Sequence, residues 1–194
     1  MRQLRLLQDV AVEPHANRGR AFELMLERTH SYYERAGVGL VEKIENAFGY
    51  CSEQEWQRLP APLKARTGDG KPLKRQKTIC DYMGHAYSLG VAFDAKEFDG
   101  PSIPLENFKD HQARRLFTFQ RTKGLAGFLV WSKRVDEVYW VAADVVLKLK
   151  AGFERKSISI DWLRQKALLI SKGTTGAIID WARVLILPDG PKAA

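Results

Sequence analysis

The stretch GVAFDAKEFDG, residues 90–100, decides the fold, because an apolar run ends there in a pair of charges. The run predicts a β-strand, in which side chains two residues apart share one face of the sheet. Asp94 and Lys96 then point one way, while Phe93 and Ala95 point the other. The charged pair therefore lies either in solvent or in a functional site.

A second acidic residue precedes this strand at hairpin distance. Residues 78–96 predict two strands joined by a tight turn near His85, with Asp81 on the first strand, thirteen residues before Asp94. Strand pairing would bring the two carboxylates together as hard oxygen ligands for Mg²⁺ or Mn²⁺. Lys96 would then stabilise an attacking hydroxide or the charge that develops on phosphorus. The pattern predicts a metal-dependent phosphodiesterase, although two acids and a lysine also occur as surface ion pairs.

Length and charge limit the class of protein. The 194 residues predict one domain over residues 1–194, and the net charge of +8 favours a polyanionic partner such as nucleic acid. Cys51 and Cys80 form no metal knuckle and no disulfide framework. No apolar stretch reaches the length of a membrane span, and the first residues lack a signal-peptide core. We expect an intracellular, cytoplasmic protein with no membrane association.

The most basic segment is KARTGDGKPLKRQK, residues 64–77, with six basic side chains and one acidic one. Its two glycines and its proline predict a flexible loop. A solvated loop that only keeps the protein soluble is the alternative to a DNA-binding segment. The side chains that we expect to contact phosphates are Lys71, Lys74, Arg75 and Lys77.

Helices flank these strands in the predicted order. Helical periodicity covers residues 17–36 and ends at Gly37, and a second long helix is predicted over residues 105–123. Ser52 and Glu55 form a capping box at the start of a short helix. Strands that alternate with helices predict an α/β fold with a mixed central sheet flanked by helices.

The segment CDYMGHAYSLGVAFDAKEFDGPSIPLENFKDHQ, residues 80–112, resembles the centre of the RecU family of Holliday junction resolvases. The family pattern runs as D-Y-x-G, then D/F-x-A-K-E, then F/I-P-L-x-N-F-x-x-H-Q, and the spacing agrees throughout. Further similarity occurs, in order along the chain, at NRGRAFE (17–23), YYERAGVG (32–39), RKSI (155–158) and IIDWARVL (178–185).

The resemblance implies a restriction-endonuclease-like fold that carries a PD-(D/E)XK nuclease site. It implies a homodimer that cuts opposed strands of a four-way DNA junction, with Mg²⁺ or Mn²⁺ as cofactor and a 5′-phosphate as product. By the resemblance, Asp81 is the first metal-binding acid, Asp94 the second and Lys96 the site lysine. Glu23, in the NRGRAFE motif, is similar to the helix glutamate that such folds turn toward the metal.

The resemblance also implies supporting roles for His111 and Gln112, which reach toward phosphate or water from the helix after the site strand. The chain departs from the family pattern at two of its site positions. Relatives commonly have Glu at the position of Asp94, and usually Thr at the position of Cys80. The region before Thr78, where relatives carry a projecting stalk that engages the junction centre, matches poorly, and a recombinase partner is left open.

Three alternative functions fit the same residues. The first is a nuclease of this fold that acts on flaps, forks or duplex ends rather than on four-way junctions. The second is a non-catalytic protein that binds branched DNA, which would keep its function without Asp81 and Asp94. An interaction protein whose charge only keeps it soluble would bind no branched DNA even at low salt.

Overall fold

The computed structural model describes residues 20–45, 48–75, 78–152, 155–170, 172–173 and 176–186. Its helices are α1 (Arg20–Arg35), α2 (Glu53–Arg58), α3 (Asp110–Arg121), α4 (Ala143–Ala151), α5 (Ile160–Lys166) and α6 (Trp181–Ile186). Its strands are β1 (Gly39–Lys43), β2 (Phe48–Tyr50), β3 (Lys64–Arg66), β4 (Pro72–Arg75), β5 (Tyr82–Ala86), β6 (Leu89–Phe98), β7 (Ser102–Pro104), β8 (Leu125–Ser132), β9 (Glu137–Ala142), β10 (Ser157–Ser159) and β11 (Leu168–Ile170).

A six-stranded sheet lies at the centre, with its strands in the order β1-β5-β6-β8-β9-β11. Strands β6 and β8 are parallel, and the other neighbours pair in antiparallel fashion. The connection between the two parallel strands contains α3, as a parallel crossover requires. The prediction of an α/β fold with a mixed central sheet is confirmed.

Helices cover both faces of this sheet. On one face, Phe22 and Leu26 of α1 and Trp181 of α6 pack with Phe93 of β6. The second face carries the other core cluster, to which α3, α4 and α5 contribute buried side chains. The side chains of β6 alternate between the two clusters because successive residues of a strand point to opposite faces.

The predicted hairpin is confirmed, but its turn lies two residues further along the chain. Strands β5 and β6 pair from Tyr82 opposite Phe93 to Ala86 opposite Leu89. Tyr87 and Ser88 form the turn, with φ values of 46° and 65°. Two consecutive positive φ angles match the twist of a two-residue hairpin, whereas a turn at His85 would shorten the pairing.

The helix predicted over residues 17–36 is confirmed for the described residues, since α1 begins at Arg20 and Gly37 follows it with a φ of 67°. The helix predicted over residues 105–123 is shorter than expected. Strand β7 and a 3-10 turn at residues 105–107 come first, and α3 begins only at Asp110. The backbone of Lys123, with a φ of 68°, turns the chain out of the helix.

The flexible loop predicted over residues 64–77 is wrong for half of that range. Strands β3 and β4 occupy residues 64–66 and 72–75 and pair with each other, and β4 also pairs with β2. The three strands and α2, residues 48–75, form what we call the three-stranded module. Pairing with the distant strand β2 overrides the local preference of the glycines and charges for a loop.

The described helices are shorter than the roughly 20 residues that a membrane span takes. The longest described helix, α1, has 16 residues, with charged residues on its exposed side. Across the described ranges, none of the helices is long and apolar enough to cross a membrane.

Candidate active site

The candidate site lies on the sheet face that α3 covers. Asp94 and Lys96 share this face of β6, as the alternation predicted, while Phe93 belongs to the core cluster on the opposite face. The Asp94 side chain is fully buried, and the Lys96 side chain is 18% exposed. The lysine therefore lies between a buried carboxylate and solvent.

Asp81 meets Asp94 across the hairpin. Tyr82 pairs with Phe93, so the residue before Tyr82 stands opposite the residue after Phe93. The Asp81 Oδ2 accepts a hydrogen bond from the backbone N–H of Ala95 at 3.2 Å. The predicted meeting of the two carboxyl groups is confirmed.

The two carboxyl groups strongly affect each other. Burial, followed by the charge of Asp94 and a hydrogen bond with it, raises the pKa of Asp81 to about 7. Two close carboxylates cannot both ionise without cost, so they hold a proton or attract a cation. This electrostatic demand is what a divalent ion would satisfy.

Two side chains already hold Asp94 in place. The Lys96 ammonium forms an ion pair with Oδ2, and the Gln112 side-chain N–H donates to Oδ1 at 3.0 Å. Gln112 is the third residue of α3, so the first turn of this helix lies over Asp94. The Gln112 Oε1 is buried and accepts no hydrogen bond from any residue that the structure describes.

The chemistry of the donor set fits a hard divalent cation. Asp81 and Asp94 offer carboxylate oxygens, the ligands that Mg²⁺ and Mn²⁺ take. Among the described residues, no group of three or more His, Cys, Asp or Glu side chains could hold a metal ion. Water and substrate oxygens would therefore have to supply the remaining ligands.

The structure does not bring Glu23 to this pair. Helix α1 packs through Phe22 and Leu26 on the opposite face of the sheet. Glu23 instead forms an ion pair with Lys43 of β1 at 2.6 Å, and both side chains are about two-fifths exposed. Its assignment as a metal ligand stays a prediction that this geometry does not support.

His111 lies on α3 next to Gln112 and is half-buried. The pKa of the neighbouring Asp110 carboxyl is lowered mainly by Lys150, and to a smaller extent by His111. Its supporting role stays a prediction.

The thiol of Cys80 is fully buried beside the site and donates to the Tyr82 carbonyl oxygen at 3.1 Å. Burial, with a smaller effect of the nearby carboxylates, raises the pKa of Cys80 to about 12. The thiol is therefore neutral at physiological pH in the metal-free protein.

Three of the four basic residues expected to contact DNA lie in the three-stranded module, and two of these three have acidic partners. Lys71 pairs with Asp69 at 2.8 Å, and Lys74 pairs with Glu55 at 2.6 Å. Arg75 lies on the other face of β4 from Lys74. Lys77 lies outside the described residues.

Sequence reasoning missed the partners of these cations. The predicted capping box is confirmed, because Ser52 accepts a hydrogen bond from the Glu55 backbone N–H at 3.1 Å. The carboxylates of the same helix had a second role, because Glu53 also binds Arg66 through two hydrogen bonds. The sequence signal for these ion pairs is the acidic SEQE motif, residues 52–55, followed by the basic segment at residues 64–77.

Comparisons with known proteins identify the family of this chain. A family model described as recombination protein U matches residues 17–186. The Holliday junction resolvase RecU of Mycoplasmopsis pulmonis is 27% identical over 172 residues, which cover 88% of this chain and 96% of the relative. The enzyme of the same name from Streptococcus pneumoniae strain Taiwan19F-14 is 26% identical over 160 residues, covering 81% of this chain and 78% of the relative.

A comparison with solved structures found the Holliday junction resolvase Hjc of Archaeoglobus fulgidus. The TM-score is 0.43 at 14% identity, and the match covers 78% of this chain and 95% of that one.

Proposed function

Because the chain belongs to the recombination protein U family, whose model spans residues 17–186, we propose that it is a metal-dependent endonuclease that resolves Holliday junctions in DNA recombination and repair. The curated relatives carry the name Holliday junction resolvase RecU. The observation that carries the proposal is the meeting of Asp81, Asp94 and Lys96 at one point, with Asp94 fully buried.

The proposed cofactor is Mg²⁺ or Mn²⁺, held by Asp81 and Asp94. Its support is the raised pKa of Asp81, since a cation would relieve the repulsion between the two carboxylates. When bound, such an ion neutralises the acids, draws in a phosphate oxygen and acidifies a bound water.

The side chains around the acids have separate tasks in the proposal. Lys96, whose ammonium reaches Asp94, stabilises the attacking hydroxide or the negative charge that develops on the phosphate. Gln112 fixes the direction of the Asp94 carboxylate through its N–H. By the family resemblance, we propose that hydrolysis leaves a 5′-phosphate.

The DNA is recognised by shape and backbone charge in this proposal. The excess of basic residues supports binding to phosphates, and Lys71, Lys74, Arg75 and Lys77 stay the proposed contacts. A homodimer is proposed because two opposed strands of a two-fold junction require two sites.

The function is tested with matched synthetic substrates in Mg²⁺: a four-way junction, a flap and a linear duplex. We expect paired, symmetric nicks in the junction and little cutting of the other two. Preferential cutting of flaps or ends would show that the protein is a nuclease for those structures and not a junction resolvase. Junction binding without any cutting would favour a non-catalytic binding protein.

A further inference from the structure

The module face covered by α2 carries three cations close together. Lys64 on β3 stands opposite Lys74 on β4, and Arg66 lies two residues further along β3 on the same face. Residues 48–75 contain six basic side chains and three acidic ones. The surface would attract DNA phosphates strongly if its cations were uncovered.

Arg66 is held in a geometry suited to a bidentate anion. Its guanidinium lies 4.0 Å from the centroid of the Trp56 ring, and Nη1 donates to the Gly70 carbonyl at 2.7 Å. The two terminal nitrogens meet both oxygens of Glu53, at 2.6 and 3.1 Å. This two-point contact is also the way in which arginine binds a phosphate.

Lys74 has a similar arrangement with the same helix. Its ammonium lies 2.6 Å from the Glu55 carboxylate. The Ser52 hydroxyl caps the first turn of α2 and so fixes the position of both glutamates relative to the sheet. Two carboxylates of one helix therefore occupy the binding positions of two cations.

We propose that Glu53 and Glu55 stand in for DNA phosphates on Arg66 and Lys74, and so act as specificity-determining residues that suppress binding to ordinary duplex DNA. A phosphate has to displace a carboxylate before it gains either cation. A four-way junction concentrates phosphates from several strands, so it competes better than a single duplex. The inference rests on the proposed function, because it presumes a branched DNA substrate.

The alternative is a purely structural role, in which the same ion pairs only hold α2 on the sheet. Both readings predict the contacts in the structure, but they differ in what happens when the glutamates lose their charge. A structural role predicts lower stability with unchanged DNA affinity. Competition with phosphate predicts tighter duplex binding and a steeper dependence on salt.

The test compares the wild type with the double variant Glu53→Gln, Glu55→Gln. Binding of a linear duplex and of a four-way junction, both without metal, is measured at several salt concentrations. We expect duplex affinity to rise about five-fold at low salt and the slope of log K against log salt to steepen by up to about two, one per released cation. The ratio of junction to duplex affinity should fall.

A matched control is Glu137→Gln. Glu137, on β9 outside the module, also binds an arginine at two points, since Nε and Nη2 of Arg164 donate to its two oxygens at 3.0 and 3.0 Å. This variant should leave both affinities unchanged. Adding Arg66→Gln and Lys74→Gln to the double variant should remove its gain in duplex affinity, which ties the gain to those two cations.

Unchanged duplex affinity and salt slope in the double variant would overturn the inference, as would a gain that survives the loss of Arg66 and Lys74. A wild type that binds no branched DNA would contradict the proposed function instead. Thermal unfolding of each variant shows whether α2 is still docked. If the double variant has unfolded, the single variant Glu53→Gln carries the same prediction with half the change in slope.

Discussion

At the scale of single residues, Asp94 determines the geometry of the site. Its side chain is fully buried, yet both of its oxygens contact polar groups, the Lys96 ammonium and the Gln112 side-chain N–H. Its position could be predicted, since alternation along β6 fixes the face of a side chain once the strand is recognised. The facing of Asp81 followed from hairpin pairing for the same reason. The environment of Glu23 could not be predicted. A helix packs through its apolar stripe, and the sequence does not say which face of the sheet that stripe covers.

The substitution Asp81→Asn should stabilise the metal-free protein at pH 8. The folded state raises the pKa of this carboxyl to about 7, so the fold binds a proton that the unfolded chain has lost. The stability that this bound proton gives to the fold is complete below the unfolded pKa near 4 and is lost as the pH rises through 7. At pH 8 the ionised Asp81 therefore destabilises the fold. We expect the free energy of unfolding in EDTA to rise by about 2 kcal/mol at pH 8.

The gain should disappear when unfolding in urea is measured at about pH 3, where Asp81 is protonated in the folded state and largely protonated in the unfolded state. Saturating Mg²⁺ should stabilise the wild type and leave the variant unaffected. A variant less stable than the wild type at pH 8 would show that the two carboxylates do not repel each other.

Gln112→Ala should slow cleavage without weakening DNA binding. The Gln112 side chain directs the Asp94 carboxylate, and loss of such a supporting hydrogen bond typically costs 10- to 100-fold in metal affinity or activity. Gln120→Ala is the control, because that side chain lies on the same helix but binds Asp144. Equal losses in both variants, in a titration of activity against Mg²⁺, would assign the effect to α3 packing instead.

Strand β5 is the element that brings Asp81 to the site, and its pairing with β1 depends on close approach. A Cβ atom at Gly84 would lie 2.0 Å from the Leu40 carbonyl oxygen and 2.7 Å from the Val41 Cα. The hairpin of β5 and β6 could be predicted from local alternation. Strands β3 and β4 could not, because each is at most four residues long and depends on partners elsewhere in the module.

Gly84→Ala should therefore destabilise the fold by about 1–3 kcal/mol, the usual cost of overpacking a tight site. Gly68→Ala is the matched control, because nothing lies within 4 Å of a Cβ built there. Both variants are compared by urea unfolding at pH 7. Equal stability of the two would mean that β1 can move away from β5 without cost.

For the whole molecule, the helix-covered mixed sheet followed from the alternation of strand and helix patterns along the chain. The three-stranded module could not be predicted, because it is held together by ion pairs and by strands too short to show an alternation of apolar and polar residues. Nor does any stretch of sequence identify a subunit interface. The homodimer is inferred from the two-fold symmetry of the substrate alone.

Sedimentation equilibrium tests this inference. We expect a mass of twice 22.0 kDa at micromolar concentration, since two sites must act on one junction. A monomer both alone and on junction DNA would contradict paired cutting.

The most direct test of the central claim is to map the nicks in a four-way junction in Mg²⁺ for the wild type and for Asp94→Asn, at protein concentrations that saturate binding for both. If Asp81 and Asp94 hold the catalytic ion, the wild type makes paired, symmetric nicks and the variant binds the junction but cuts it at least about 100-fold more slowly. Cutting by Asp94→Asn at the wild-type rate would contradict the assignment of the site.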